Sequence, residues 1–179
     1  MNIPESDAFV FFGATGDLAH KKIFPALYAM ARRGALNIPI IGMARAGWTL
    51  EKLTARARDS VASDVDFDAD AFAGLAAQLR YVDGDYTDPA TYVRLRQALG
   101  PAVRPIHYLA IPPSMFGSVV QGLARSGCAE NARVIVEKPF GRNLAGAQSP
   151  CRTWSVLRRS SIRASCRSRL WAALDRTGV

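Results

Sequence analysis

The tightest constraint on this chain lies near its start. An unbroken apolar run, Phe9-Val10-Phe11-Phe12, ends at a glycine turn, Gly13-Ala14-Thr15-Gly16. Successive side chains of a strand point to opposite faces, so a strand made only of large apolar residues must be buried on both. A parallel sheet covered by helices on each side meets that condition. Gly13 is placed for a tight turn, and Gly16 lets a pyrophosphate approach the backbone. The helix that follows, from about Leu18, turns its first N–H groups towards such an anion. Ala19 is small where the helix packs closely on the strand. The spacing Gly-x-x-Gly-x-x-Ala is a variant of the dinucleotide-binding fingerprint. Standing alone, it also suits a glycine turn joining any strand to any helix.

The rest of the chain repeats the same alternation. A helical pattern runs from about Leu18 to Arg33, with Ile23, Phe24, Leu27, Tyr28 and Ala31 on one face and Gly34 placed to stop it. Pro25 disturbs this helix unless it sits in the first turn or kinks it. Ile38 to Ala44 reads as a second strand. Thr49 is placed to cap a helix reaching about Ser63. Another helix near Ala69–Gln78 leads to a strand near Leu79–Val82. Asp88-Pro89 starts a helix that ends at Gly100. Pro105 to Ile111 is a fourth strand, halted by Pro112-Pro113. Ser114 to Ser126 is helical, Ala132 to Val136 is a fifth strand, and a helix restarts at Asn143. Strand–helix alternation with short connections predicts an α/β fold: a doubly wound, mostly parallel, Rossmann-like sheet. Ligands bind such sheets at the carboxyl ends of the strands.

Composition excludes several classes. No stretch of 18 apolar residues exists, and the apolar run at Phe9 is too short and lacks the basic flank of a signal peptide, so a cytoplasmic protein is expected. Cys128, Cys151 and Cys166, with His20 and His107, follow no metal-ligand or disulfide spacing, and no metal is expected. The net charge of +8 is unevenly held. Residues 1–148 carry 16 Lys and Arg against 14 Asp and Glu; residues 149–179 carry seven Arg against one Asp. The even balance of the first part argues against nucleic acid as a partner.

Two further strand ends carry chemistry. The second strand closes as Gly42-Met43-Ala44-Arg45, with a cation where an NAD-binding chain carries an acidic residue for the ribose hydroxyls. A guanidinium there can hold the 2′-phosphate of NADP bidentately, and Thr15 can add a hydroxyl bond. An ordinary surface arginine is the other reading. After the fifth strand comes Glu137-Lys138-Pro139, which aims Lys138 at the nicotinamide end, although a charged turn with no ligand has the same form.

Taken together, these segments resemble the glucose-6-phosphate dehydrogenases. The matching stretches are Gly13-Ala14-Thr15-Gly16-Asp17-Leu18-Ala19-His20-Lys21-Lys22, Gly42-Met43-Ala44-Arg45, Tyr108-Leu109-Ala110-Ile111-Pro112-Pro113 and Arg133-Val134-Ile135-Val136-Glu137-Lys138-Pro139-Phe140-Gly141-Arg142. They stand in the family's order across residues 9–148. The resemblance implies the NADP-binding domain of an oxidoreductase that converts glucose 6-phosphate at C1 to 6-phosphogluconolactone in the pentose phosphate pathway. It implies that Gly13, Ala14, Thr15, Gly16, Asp17 and Leu18 cradle the NADP diphosphate and that Arg45 binds the 2′-phosphate. Asp85 and Tyr86 would flank the adenosine end. Lys138 would contact both nicotinamide and glucose 6-phosphate, with Lys22 nearby.

Three departures from the family pattern matter. Ala46 replaces a frequent polar residue beside the arginine. Phe116 stands where tyrosine is common. The substrate motif Arg-Ile-Asp-His-Tyr-Leu-Gly-Lys is absent: His107-Tyr108-Leu109 imitates part of it, but Ala110-Ile111 follow, so His107 is read as structural. The general-base histidine and the α+β substrate domain are expected to be missing, which leaves no catalytic residue and makes native-like oligomers improbable. Two alternatives remain. One is another Glu-Lys-Pro sugar oxidoreductase, although these open with Gly-x-Gly-x-x-Gly. The other is a non-catalytic NADP-binding or sensor module related to the short-chain reductases. Their Tyr-x-x-x-Lys pair is lacking here, because Arg32, Asp85, Ala90, Arg96 and Pro112 stand four places after the five tyrosines.

From Ser149 the composition changes to Arg, Ser, Cys and Trp, with no lysine and no helical or strand period. GC-rich codons read out of frame give this mixture. Residues 149–179 are therefore expected to be an out-of-frame, poorly ordered tail beyond a domain of residues 1–148; a genuine basic tail for nucleic acid is the other reading, which arginines without a helical or strand period do not favour. Sequencing the gene tests this. Shifting the frame after Gln148 is expected to uncover Asp-His-Tyr-Leu-Gly-Lys; an intact frame without that motif overturns it.

Overall fold

A computed structural model describes residues 6–62, 66–136 and 163–166. The strands are β1 (Ala8–Phe12), β2 (Ile40–Ala44), β3 (Leu79–Asp83), β4 (Pro105–Leu109), β5 (Arg133–Val136) and β6 (Arg163–Cys166). The helices are α1 (Phe24–Arg32), α2 (Leu50–Val61), α3 (Ala69–Gln78), α4 (Pro89–Leu99) and α5 (Phe116–Arg125). The strands form one sheet in the order β3-β2-β1-β4-β5-β6, and every neighbouring pair is parallel. The expected Rossmann-like α/β architecture is thus found. β6 comes from the Arg- and Ser-rich tail and pairs with β5, Val134 opposite Ala164. The helix expected from Asn143 lies outside the described residues.

β1 explains why the sheet is wound on both sides. All five of its residues are buried. Ala8, Val10 and Phe12 enter a core shared with Tyr92, Leu95 and Leu99 of α4 and Val119, Val120 and Leu123 of α5. Phe9 and Phe11 enter the opposite core, with Phe24, Leu27 and Tyr28 of α1, Leu53 and Ala57 of α2, and Phe72 and Leu75 of α3. Alternation along one strand therefore feeds two separate cores, and neither helix layer can be lost without exposing half of β1.

Local signals place the helix ends. The Thr49 hydroxyl accepts from Lys52 N, and the Asp88 carboxylate accepts from Ala90 N ahead of Pro89. β2 begins two residues later than the apolar pattern suggests, because Pro39 has no N–H for the ladder. Pro25 is reconciled by a π-helical turn, Ala19–Ile23, in which Phe24 N donates to Ala19 O. The widened turn relieves the clash that a proline ring makes with the carbonyl four residues earlier, and Pro25 falls in the first turn of α1.

α4 and α5 meet closely at Gly122. A Cβ there would lie 2.1 Å from Tyr92 Cζ, so the tyrosine ring occupies the space where any other side chain would begin. The Tyr92 hydroxyl donates to Tyr86 O at 2.8 Å.

His107 lies in β4 with no exposed surface, packed 6.2 Å from the Phe12 ring. Its Nε2 is 2.7 Å from Cys128 O, so it donates to that carbonyl, and Nδ1 has no partner. Burial holds its pKa down at about 4 against an ordinary 6.5, the Cys128 hydrogen bond pulling weakly the other way. It is a neutral core residue, as its place inside an apolar strand suggests. Because the unfolded chain binds this proton more readily, stability is complete above pH 6.5 and falls as the pH drops towards 4. Denaturant unfolding is expected to give about 2 kcal/mol less stability at pH 5 than at pH 7.5 from this group. That increment should be missing from His107→Phe; its persistence there would assign it elsewhere.

Candidate functional site

The carboxyl ends of β1, β2 and β3 converge on the glycine turn. Gly13 has φ +82°, and a Cβ on it would sit 2.3 Å from the backbone oxygen of Ala110. Only glycine fits, because β4 passes directly beside the turn: Ala110 N donates to Phe12 O at 3.1 Å. The turn is tied to β2 through one acceptor. Met43 O receives Gly13 N at 2.9 Å, Ala14 N at 3.0 Å and the Tyr86 hydroxyl at 3.0 Å. Gly13 N also reaches the Tyr86 oxygen at 3.0 Å.

These bonds leave other amides for a ligand. The first helical bond is His20 N to Gly16 O, at 3.2 Å. The N–H groups of Asp17, Leu18 and Ala19 precede it and find no carbonyl within the helix. Gly16 and Asp17 are exposed, Thr15 and Leu18 half-buried. The result is a row of donors at a helix N-terminus, which is suited to a phosphate. Asp17 does not close it, because its carboxylate is held by Lys21 Nζ at 2.7 Å, and that contact lowers its pKa.

Arg45 leaves the end of β2 with its side chain 72 % exposed, and its Nη1 meets Asp85 Oδ2 at 2.7 Å. Asp85 is fixed from the other side, its Oδ1 accepting from Thr87 N and Thr87 Oγ1, each at 2.8 Å. The Thr87 bonds, then Arg45, hold the Asp85 carboxyl down at about 2, so it is a permanent anion. Its neighbour points the other way. Tyr86 is buried, its ring edge-on to Phe12 at 5.5 Å and its hydroxyl under the glycine turn. Burial raises its pKa, which keeps the hydroxyl protonated and able to donate to Met43 O.

One residue of this site has no distinguishing sequence signal. Asp83 Oδ1 accepts from Ala46 N at 3.1 Å, Gly47 N at 2.9 Å and the Tyr81 hydroxyl at 2.7 Å. Partial burial works against its charge, but these donors prevail and its pKa is lowered. Asp83 thereby fixes the backbone that carries Arg45. Lys22 is exposed on the helix after the glycine turn. Lys138 lies outside the described residues, two positions beyond the end of β5.

The family model described as "Glucose-6-phosphate dehydrogenase, NAD binding domain" matches residues 10–155. This chain belongs to the glucose-6-phosphate dehydrogenase family. The match runs seven residues past the boundary expected at 148. Glucose-6-phosphate 1-dehydrogenase 1 of Mycobacterium bovis is 44% identical over 142 residues, which is 79% of this chain and 30% of that protein. The crystal structure of glucose-6-phosphate 1-dehydrogenase from Mycobacterium avium is similar with a TM-score of 0.79 at 42% identity, covering 89% of this chain and 35% of its own. A glucose-6-phosphate dehydrogenase in complex with its substrate glucose-6-phosphate gives a TM-score of 0.76 at 29% identity, over 92% of this chain and 37% of that one. The chain spans about a third of the length of these relatives. It is a dinucleotide-binding Rossmann-like domain of the family.

The contacts rank the loop residues. Gly13→Ala combines left-handed strain with a backbone clash and is expected to lower stability by about 3 kcal/mol or more. Gly16→Ala places its Cβ 3.2 Å from Gly13 O with no left-handed strain, and it is expected to change stability by less than about 1 kcal/mol. Tyr86→Phe should cost about 1–2 kcal/mol through the lost hydroxyl bonds. Urea unfolding checks the order; equal effects of the two glycine substitutions would contradict the geometry.

Proposed function

We propose that this chain is the NADP-binding domain of a glucose-6-phosphate dehydrogenase and that it holds NADP without completing the reaction. The observation that carries the reading is the convergence of two anion-binding features at adjacent strand ends: the amides at positions 17–19 and the cation at 45. The residues present fit the cofactor. The cradle is open at exposed Gly16, Gly13 lets the turn lie against β4, and the donors have no partner of their own within the helix. In this reading the backbone from Gly13 to Leu18 holds the diphosphate, Thr15 and Arg45 hold the 2′-phosphate, and Asp85 and Tyr86 define the adenosine side. Lys22 and Lys138 reach glucose 6-phosphate, with Lys138 also at the nicotinamide.

Held by these residues, NADP would supply the hydride acceptor that oxidation of C1 of glucose 6-phosphate to 6-phosphogluconolactone requires. A group must take the C1 hydroxyl proton as hydride leaves. Neither histidine of the 179 residues suits that task. His107 is sealed in the core as a neutral donor. His20 faces Asp59 of α2, 3.8 Å away. Without a general base such a step runs about 10²–10⁴-fold slower. The protein is assigned to the cytoplasm and to glucose metabolism, with neither nucleic acid nor membrane as partner. Among the described residues no helix is long and apolar enough to cross a membrane, and no three ligating side chains gather for a metal.

Calorimetric titration of the purified chain checks the cofactor role. Arg45→Ala is expected to weaken NADP about tenfold or more and to leave NAD within about twofold. With glucose 6-phosphate and NADP, no NADPH absorbance should accumulate. Production at an ordinary enzyme rate would overturn the claim that this chain lacks a base.

A further inference from the structure

The guanidinium assigned to the 2′-phosphate already has an anionic partner. We infer that Asp85 is a specificity-determining residue that opposes NADP at Arg45 and offers an acceptor to the ribose of NAD, so that the domain admits both dinucleotides. The inference deepens the cofactor reading above and rests on it.

The geometry supports this in three steps. First, the Arg45–Asp85 contact at 2.7 Å engages only Nη1 of the guanidinium. The fork's other N–H groups can still face a phosphate, so both anions share one cation rather than exclude each other. Second, the carboxylate cannot easily retreat. Its second oxygen is held by both the amide and the hydroxyl of Thr87, and the carboxyl is ionised at any physiological pH. A 2′-phosphate bound to Arg45 therefore stays beside a fixed negative charge, which weakens the preference that a lone arginine would give. Third, a ribose diol has the opposite need. It donates hydrogen bonds, and Asp85 Oδ2 is an acceptor brought by the arginine contact to the end of β2. That is where an NAD-binding chain carries its own acid. Here the acid arrives from the end of β3, 40 positions later.

The test is calorimetric titration of the full 179-residue chain with NADP and with NAD. Asp85→Asn removes the charge and keeps an oxygen for the Thr87 donors. It is expected to tighten NADP about fivefold, to leave NAD unchanged or weaker, and so to raise the NADP preference at least fivefold. Asp85→Ser is expected to move the ratio in the same direction and serves if the asparagine variant folds poorly. In an Arg45→Ala background the gain in NADP affinity should shrink to less than twofold, because no guanidinium remains to be released. An unchanged or reduced preference in Asp85→Asn, while Arg45→Ala still abolishes it, overturns the role of Asp85 and leaves the cofactor reading standing. Equal weakening of both dinucleotides with a lowered melting temperature marks a purely structural residue and also overturns it. If Arg45→Ala leaves the NADP preference intact, or if the chain binds neither dinucleotide, the cofactor reading fails and this inference with it.

Discussion

A single carbonyl organises the ligand edge of this domain. Met43 O receives the amides of Gly13 and Ala14 and the hydroxyl of Tyr86, and so joins the ends of β1, β2 and the segment after β3 at one point. Because two of its donors belong to the glycine turn, the turn is fixed against β2 before any ligand arrives. Its geometry is then set by the sheet rather than by the loop's own preferences. A preformed row of amides need not be ordered at the moment of binding, which is the usual benefit of placing a binding loop on a rigid element.

The same edge separates two kinds of charge management. Asp17 is neutralised locally, by a lysine one helical turn along, and that pair does no more than keep a carboxylate out of the cradle. Asp83 is neutralised by amides and a hydroxyl, and its effect is to hold backbone in place. Asp85 alone of the three pairs with an arginine. Three carboxylates within one strand end and one helix start therefore have three roles, set by their partners and not by residue type.

Much of this was legible in the residues. β1, the glycine turn and the Asp88-Pro89 helix start follow local rules, because burial on two faces, a turn and an N-cap are all decided within a few positions. Arg45 was legible as the cation that follows an apolar strand, and His107 as a polar residue inside one. The less visible features join distant positions. The Arg45–Asp85 contact, the Asp83 brace on residues 46 and 47 and the hydroxyl of Tyr86 beneath Gly13 all depend on β1, β2 and β3 lying side by side. Strand order follows from the fold class, but which of Asp83, Asp85 and Tyr86 turns inward depends on a one-residue alternation that the apolar pattern around Val82-Asp83-Gly84 does not fix. The start of β2 is hidden in the sequence because the apolar run passes through Pro39, whose missing N–H outweighs its neighbours' preference for a strand.

The close approach at Gly122 reaches further than its position on α5 suggests. Its missing side chain makes room for the Tyr92 ring, the Tyr92 hydroxyl holds the backbone of Tyr86, and the Tyr86 hydroxyl holds Gly13. A gap between two helices is thus continuous, through three contacts, with the glycine turn at the end of β1. Residues of the outer helical layer contribute in this way to how firmly that turn is held in place.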